Sequence, residues 1–273
     1  TLLVELKKLK MCKHLVLLSP GFPESEKDST IIPALQIFVK KLTYLHPDIK
    51  ITLIAFQYPF TTQNYVWNGV EVITLNGKNK RRNKLFVWIK ALRTLKKINQ
   101  AEKIDLVHSF WLRECGFVGR IFTKRHRINH VITAMGQDVL KPNRYIKLCS
   151  REAKIVTLSS FHQKKLEQNY GIDSEIIPWG LEVSEFPEMG KKTIDILGVG
   201  SLNKVKNYSL FLSIIKKLNE KGYNFKVEIL GGGSLEKQVE TQIKTLGLEK
   251  VIQLSKEIKR EEVLAKMAKA KVL

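Results

Sequence analysis

Thr193-Ile194-Asp195-Ile196-Leu197-Gly198-Val199-Gly200-Ser201-Leu202-Asn203-Lys204-Val205-Lys206-Asn207 joins a branched-aliphatic run, a glycine-containing turn and the start of a helical pattern. Short runs of this kind alternating with helices are the signature of strand-helix-strand units and a parallel sheet. The order repeats downstream. Asn207–Glu220 reads as a helix closed by Gly222, Phe225–Leu230 as a strand, and Ser234–Leu246 as a helix capped by Ser234 and ended by Gly247. Val251–Leu254 is a strand, Glu261–Ala268 a helix, and Lys271–Leu273 begins another strand.

Upstream, His14–Leu18, Ile51–Phe56, Leu106–His108, Val131–Ala134 and Ile155–Leu158 read as strands. Pro33–Leu45 is a helix with proline in its first turn, and Phe161–Tyr170 is another ended by Gly171. The alternation breaks at Pro178–Gly190, which carries Pro178, Gly180, Pro187 and Gly190. The fold class is therefore α/β, with two Rossmann-like, doubly wound parallel-sheet domains: residues 11–178, a linker over 179–190, and residues 191–273. The second is expected to be incomplete, because such domains normally carry more strands and helices. Thr1 is not an initiator and Met11 stands just before the first strand, so the residues before Met11 read as an upstream read-through or a fragment edge.

A chain of 273 residues with 44% hydrophobic residues can bury two modest cores. No apolar run approaches the ~20 residues of a membrane-spanning helix, and no export-signal cleavage pattern is present, so a cytoplasmic location is expected. Cys12, Cys115 and Cys149 lack the paired spacing of zinc ligands or a disulfide framework. A formal net charge of +21 implies an anionic partner. Between Lys78 and Ala101 there is no acidic residue, while Lys78, Lys80, Arg81, Arg82, Lys84, Lys90, Arg93, Lys96 and Lys97 are basic. Leu85, Trp88, Ile89, Leu92 and Leu95 recur there at helical spacing. This helix either lies on an anionic bilayer through residues 78–97 or is a domain helix with a solvated basic face. A nucleic-acid module would interleave aromatics with its basic residues, whereas Trp88 stands on the apolar stripe, so no nucleic-acid partner is expected.

Open parallel sheets bind ligands outside the carboxyl ends of their strands. Gly200 and Ser201 sit in such a loop, where a helix start offers unpaired N–H groups and Lys206 adds a full charge, an arrangement suited to phosphate. The competing reading is an ordinary turn with a solvated lysine. Gly231-Gly232-Gly233 follows another strand, and three consecutive glycines are more easily explained by a ligand pressed against the main chain than by packing. In the first half, Gly21 lies in the loop after the first strand and Asp138 in Met135-Gly136-Gln137-Asp138, both expected to face an interdomain cleft. Asp138 suits a sugar hydroxyl or a developing positive charge, or is a loop-capping aspartate. His108, at the end of its strand, is a second candidate catalyst, against the reading of a buried, satisfied histidine. A nicotinamide oxidoreductase would need a glycine-rich fingerprint after the first strand, and Ser19–Pro23 has one glycine.

Val199-Gly200-Ser201-Leu202 with Lys206, then Glu228-Ile229-Leu230-Gly231-Gly232-Gly233, then Leu254-Ser255 followed by Arg260-Glu261-Glu262-Val263-Leu264 resembles the carboxy-terminal domain of glycosyltransferase family 4, of the GT-B fold class. Asp105-Leu106-Val107-His108, the Gly136-x-Asp138 turn, Ser159-Ser160-Phe161, and Ile177-Pro178-Trp179-Gly180-Leu181-Glu182 with Phe186 follow in that family's order. The resemblance implies retaining transfer from a nucleotide-diphosphate sugar to a glycan or lipid-linked acceptor, with no metal and no cofactor. It assigns the diphosphate to Lys206, Gly200 and Ser201, with Gly21 closing from the other domain, and the nucleoside to Gly231 and Gly232. It implies a cytoplasmic protein, peripheral on the inner face of the membrane if the basic helix binds lipid. Two positions depart: Ser201 stands where the family often has arginine, and Met135 where it often has histidine, which raises the alternative of a pseudoenzyme that only binds nucleotide sugar. The family's glutamate pair, seven residues apart, would follow the strand at Lys271, so this chain is expected to transfer sugar poorly by itself.

Overall fold

The computed structural model describes residues 12–150, 152–188 and 190–273; the expected domain start at Met11 and the stretch before it lie outside these. The chain divides into two compact units between Leu181 and Glu182.

In the first unit the strands are β1 His14–Gly21, β2 Lys50–Tyr58, β3 Asn64–Trp67, β4 Val70–Thr74, β5 Leu106–Phe110, β6 Asn129–Thr133, β7 Lys154–Thr157 and β8 Glu175–Ile176. They form one sheet in the order β3-β4-β2-β1-β5-β6-β7-β8, parallel except at β3–β4. The helices are α1 Pro33–Leu45, α2 Lys84–Ala101, α3 Glu114–His126, α4 Ile146–Cys149 and α5 Ser160–Tyr170. β1 is apolar on both faces, as a central parallel strand must be. Its Val16 and Leu18 pack with Ile54 of β2 against Val87, Ala91 and Leu95 of α2 and Val118 and Phe122 of α3. Leu15 and Leu17 face the other way, with Leu53 of β2 and Leu35 and Val39 of α1. Asp105 ties the strand starts together by accepting from the backbone N–H of Lys13 (2.8 Å) and His14 (3.1 Å).

In the second unit β9 Ile194–Val199, β10 Val227–Leu230, β11 Ile252–Ser255 and β12 Ala270–Val272 form a parallel sheet in the order β11-β10-β9-β12. Helices α6 Tyr208–Glu220, α7 Glu236–Thr245 and α8 Arg260–Lys269 complete it. Leu212 and Ile215 of α6, Val227 and Ile229 of β10, and Val239 and Ile243 of α7 make its core.

Three expectations are corrected. On α2 the expected stripe holds at Trp88, Leu92 and Leu95, which pack with Val87 and Ala91 on the core, whereas Leu85 and Ile89 are 65% and 41% exposed. The buried face is centred on Val87 and Ala91, which turns Leu85 and Ile89 outward. Ser234 does not cap α7, whose first turn has no side-chain cap and begins after Leu235. β5 runs on to Phe110, so His108 is mid-strand rather than at its end. Around the linker, Trp179 stacks on Phe110 (centroids 5.7 Å apart), while Glu185 pairs with Arg260 at 2.9 Å, each inside its own unit.

Candidate functional site

In the second unit the loops after β9 and β10 are zipped by their backbones. Gly200 N–H donates to Leu230 O (3.0 Å), Leu202 N–H to Gly232 O (2.8 Å) and Leu235 N–H to Leu202 O (3.0 Å). A Cβ at Gly231 would lie 2.1 Å from Gly200 O, and one at Gly233 2.6 Å from Leu202 O. Both glycines have φ near +150° (+152° and +153°), open to glycine alone. Packing of loop on loop therefore explains two of the three consecutive glycines, against the expectation that a ligand would. Gly232 is different, since its nearest neighbour is Glu257 at 3.7 Å.

Lys206 ends a 3-10 turn, Lys204–Lys206, fixed by Asn203 Oδ1 accepting from Val205 N–H at 3.1 Å. A Cβ at Gly200 would be 3.2 Å from Lys206 Cε and 3.6 Å from its Nζ, so the ammonium stands over the Gly200 backbone. Tyr208 Oη donates to Gly200 O at 3.1 Å and steadies the same turn. Ser201 and Lys206 are both exposed, so the structure brings Gly200, Ser201, Lys206 and Gly232 to one open surface at the carboxyl ends of β9 and β10.

The first unit holds a cavity of about 540 Å³. β1 is flanked by β2 and β5, the point where the winding reverses, and there a doubly wound sheet opens a crevice. Pro20, Gln57 and Trp111 line the cavity from the ends of β1, β2 and β5, and Lys80, Arg81 and Arg113 line it from the loops leading into α2 and α3. Trp111 has φ +74°, and Asn76, Lys78 and Asn79 have φ of +60°, +57° and +53°. Left-handed backbone at a tryptophan is costly and gathers at functional sites. Lys84 pairs with Glu114 at 2.8 Å, and Gln57 Nε2 donates to the same carboxylate at 3.2 Å. Burial lowers the Lys84 pKa, but hydrogen bonds to Glu114 and Tyr145 outweigh it and hold the ammonium above its ordinary value.

Asp138 sits behind this wall. Its Oδ2 accepts from Leu112 N–H (2.9 Å) and Met135 N–H (3.0 Å), and its Oδ1 lies 3.3 Å from Arg113 Nε. Asn143 Nδ2 donates to Leu112 O at 3.0 Å and to Asp138 O at 2.9 Å. Burial raises the Asp138 pKa against the pull of those N–H groups and Arg113. At 1% exposure the geometry is that of the loop-capping aspartate, one that positions Trp111–Arg113. His108 shares Nε2 with Thr133 Oγ1 at 2.8 Å and packs on Phe110, and burial lowers its pKa to about 4. Its Nε2 is engaged within the sheet. Gly21 is buried, its Cα facing Tyr58 Cβ. Sequence reasoning passed over Trp111, Arg113 and Glu114. Among the described residues no group of three or more His, Cys, Asp or Glu side chains gathers as a metal site would, and no helix is long and apolar enough to cross a membrane.

The family model described as Glycosyltransferase Family 4 matches residues 42–185, more than half of the chain. The chain belongs to that family. A second model, Glycosyl transferases group 1, matches residues 182–273 of this family 4 chain. An uncharacterized glycosyltransferase, MJ1178 of Methanocaldococcus jannaschii, is 26% identical over 159 residues, 56% of this chain and 44% of that protein. The chain thus spans less than half the length of that curated relative. Among solved structures, sucrose-phosphate synthase from Thermosynechococcus elongatus superposes with a TM-score of 0.75 at 11% identity, covering 94% of this chain and 74% of that one. The catalytic domain of starch synthase IV from Arabidopsis thaliana, bound to ADP and acarbose, gives 0.64 at 11% identity, covering 94% and 76%. These likenesses establish for the family 4 chain the GT-B fold of two Rossmann-like units.

Proposed function

We propose that this family 4 chain is a glycosyltransferase that binds a nucleotide-diphosphate sugar on the Gly200–Lys206 turn and passes the sugar to a glycan or lipid-linked acceptor. The observation that carries the reading is the Lys206 ammonium standing over Gly200 at the carboxyl end of β9. Cleavage of the sugar–phosphate bond leaves new charge on the diphosphate, and a fixed cation beside a turn of backbone N–H groups stabilises that charge as it develops. Gly232, whose backbone is not overlapped by a neighbouring main chain and which faces only the Glu257 side chain, is assigned to the nucleoside. The cavity of the first unit takes the acceptor. Retention of configuration and independence of a metal ion rest on the family resemblance. A cytoplasmic protein peripheral on the inner membrane face fits α2, where exposed Leu85, Phe86 and Ile89 run on into exposed Arg93, Lys96 and Lys97.

Calorimetric titration with uridine, guanosine and adenosine diphosphate sugars tests the donor site without requiring turnover. One donor binds, and Lys206→Gln weakens it about tenfold, the worth of one charge-assisted contact. Unchanged affinity in that variant, or no binding by any donor, sinks the reading. Ser201 and Met135, in place of the usual arginine and histidine, favour a second reading, a pseudoenzyme that binds nucleotide sugar only. Donor binding without transfer to any acceptor selects it.

A further inference from the structure

We infer that the cavity at the β1/β5 switch point binds a phosphate ester, so that the group it receives is a phosphorylated acceptor. Lys80, Arg81, Lys84 and Arg113 line it against one carboxylate, Glu114. That carboxylate is already engaged by Lys84, and Arg113 leans on Asp138. Lys80 and Arg81 are exposed at the wall, and among the described residues neither has an ion-pair partner. Four cations against two engaged carboxylates, Glu114 and Asp138, leave a net positive field that fits a dianion better than a neutral sugar hydroxyl, and two guanidinium forks match phosphate oxygens in shape. The starts of α2 and α3 stand at the same wall without a side-chain cap, adding field of the same sign. A cavity of about 540 Å³ has the size of a small-molecule site, and Gln57 and Trp111 supply a polar and an aromatic surface for a sugar or alcohol carrying the phosphate. The strained Trp111 backbone is held by Asp138 and Asn143 through Leu112, so the wall is built in advance of its ligand.

Phosphate binding stands on the cavity alone; calling its carrier the acceptor rests on the glycosyltransferase reading. The test is titration of the whole chain with glucose 6-phosphate, inorganic phosphate and glucose, followed by tryptophan fluorescence and calorimetry. Glucose 6-phosphate and phosphate bind, glucose binds at least about tenfold more weakly, and the double variant Lys80→Gln/Arg81→Gln loses about tenfold or more in phosphate affinity. That variant keeps its melting temperature and its nucleotide-sugar affinity, since both side chains are exposed and belong to the first unit. Equal binding of glucose and glucose 6-phosphate, or an unaffected double variant, overturns the inference. So does displacement of glucose 6-phosphate by saturating uridine diphosphate, which would make the cavity part of the donor site. Competition by phosphatidic acid vesicles, against neutral phosphatidylcholine ones, separates a lipid phosphate from a soluble one. Failure of donor binding with phosphate binding intact would remove the transferase reading and leave this cavity assigned.

Discussion

Gly231→Ala is the substitution whose cost the structure fixes best. The new Cβ would sit 2.1 Å from Gly200 O and 2.9 Å from Gly200 C, both backbone atoms of a turn that is itself hydrogen-bonded to Leu230. Its φ of +152° adds strain of about 1–3 kcal/mol for a residue with a side chain. Backbone must also move to relieve the overlap, breaking the Gly200 N–H to Leu230 O bond at 3.0 Å, worth about 1 kcal/mol. The sum is on the order of 3 kcal/mol or more, which lowers the melting temperature of a unit the size of Glu182–Leu273 by ~12 °C or more. Gly232→Ala is the internal control, because its nearest neighbour is at 3.7 Å and its φ is not left-handed. It should melt within about 0.5 kcal/mol of the parent while losing nucleotide affinity if the nucleoside lies there. Thermal unfolding by circular dichroism of the two variants decides the matter. A Gly231→Ala protein as stable as its parent refutes the loop-on-loop account of these glycines.

Asp138→Ala strands one buried and one half-buried N–H group and should cost about 2–4 kcal/mol of stability in urea unfolding, with Asp138→Asn costing less; a near-silent alanine variant would return Asp138 to the list of candidate catalysts. Burial holds His108 near pKa 4 and His130 near 3, against about 6.5 when unfolded. The unfolded chain then takes up protons first, so stability is full above about pH 6.5 and falls towards about pH 4 by up to ~1.4 kcal/mol per pH unit for each histidine. A urea midpoint that stays flat between about pH 7.5 and about pH 5 contradicts this. Flotation with anionic vesicles should be lost in Leu85→Gln/Phe86→Gln, since both side chains are about two-thirds exposed (65% and 66%); equal flotation of the double variant removes the membrane role of α2.

Most of the fold was legible because strands and helices here obey their periods. Pro33–Leu45 is a helix over its whole expected span, and β9, β10 and β11 fall within two residues of the aliphatic runs that announce them. α3 was missed because nothing in its sequence caps it: its N-cap is Arg113, and Gly116 and Gly119 interrupt the pattern. Those glycines are set by tertiary contacts, for a Cβ at Gly119 would meet Ser109 Oγ at 2.5 Å and His130 Nε2 at 2.7 Å. The hairpin β3–β4 was missed although Asn68-Gly69, both left-handed with φ of +46° and +80°, is the usual sign of a tight turn.

The site divides along the same line. Gly200 and Lys206 are six positions apart on one turn, so local sequence chemistry already brings the charge to the glycine. The cavity of the first unit is assembled from Pro20, Gln57, Lys80 and Trp111, at the ends of separate strands or in the loops beyond them, and only the sheet order makes them neighbours. The three glycines show why a motif misleads even where it is local. A missing Cβ serves a ligand and a neighbouring main chain equally well, and the sequence records only that it is missing. What separates the uses is the distance from the absent atom to its nearest neighbour: 2.1 Å at Gly231 and 2.6 Å at Gly233, both to backbone, against 3.7 Å at Gly232. Only the last could carry a Cβ without moving a neighbouring main chain, since what it meets is the end of the Glu257 side chain.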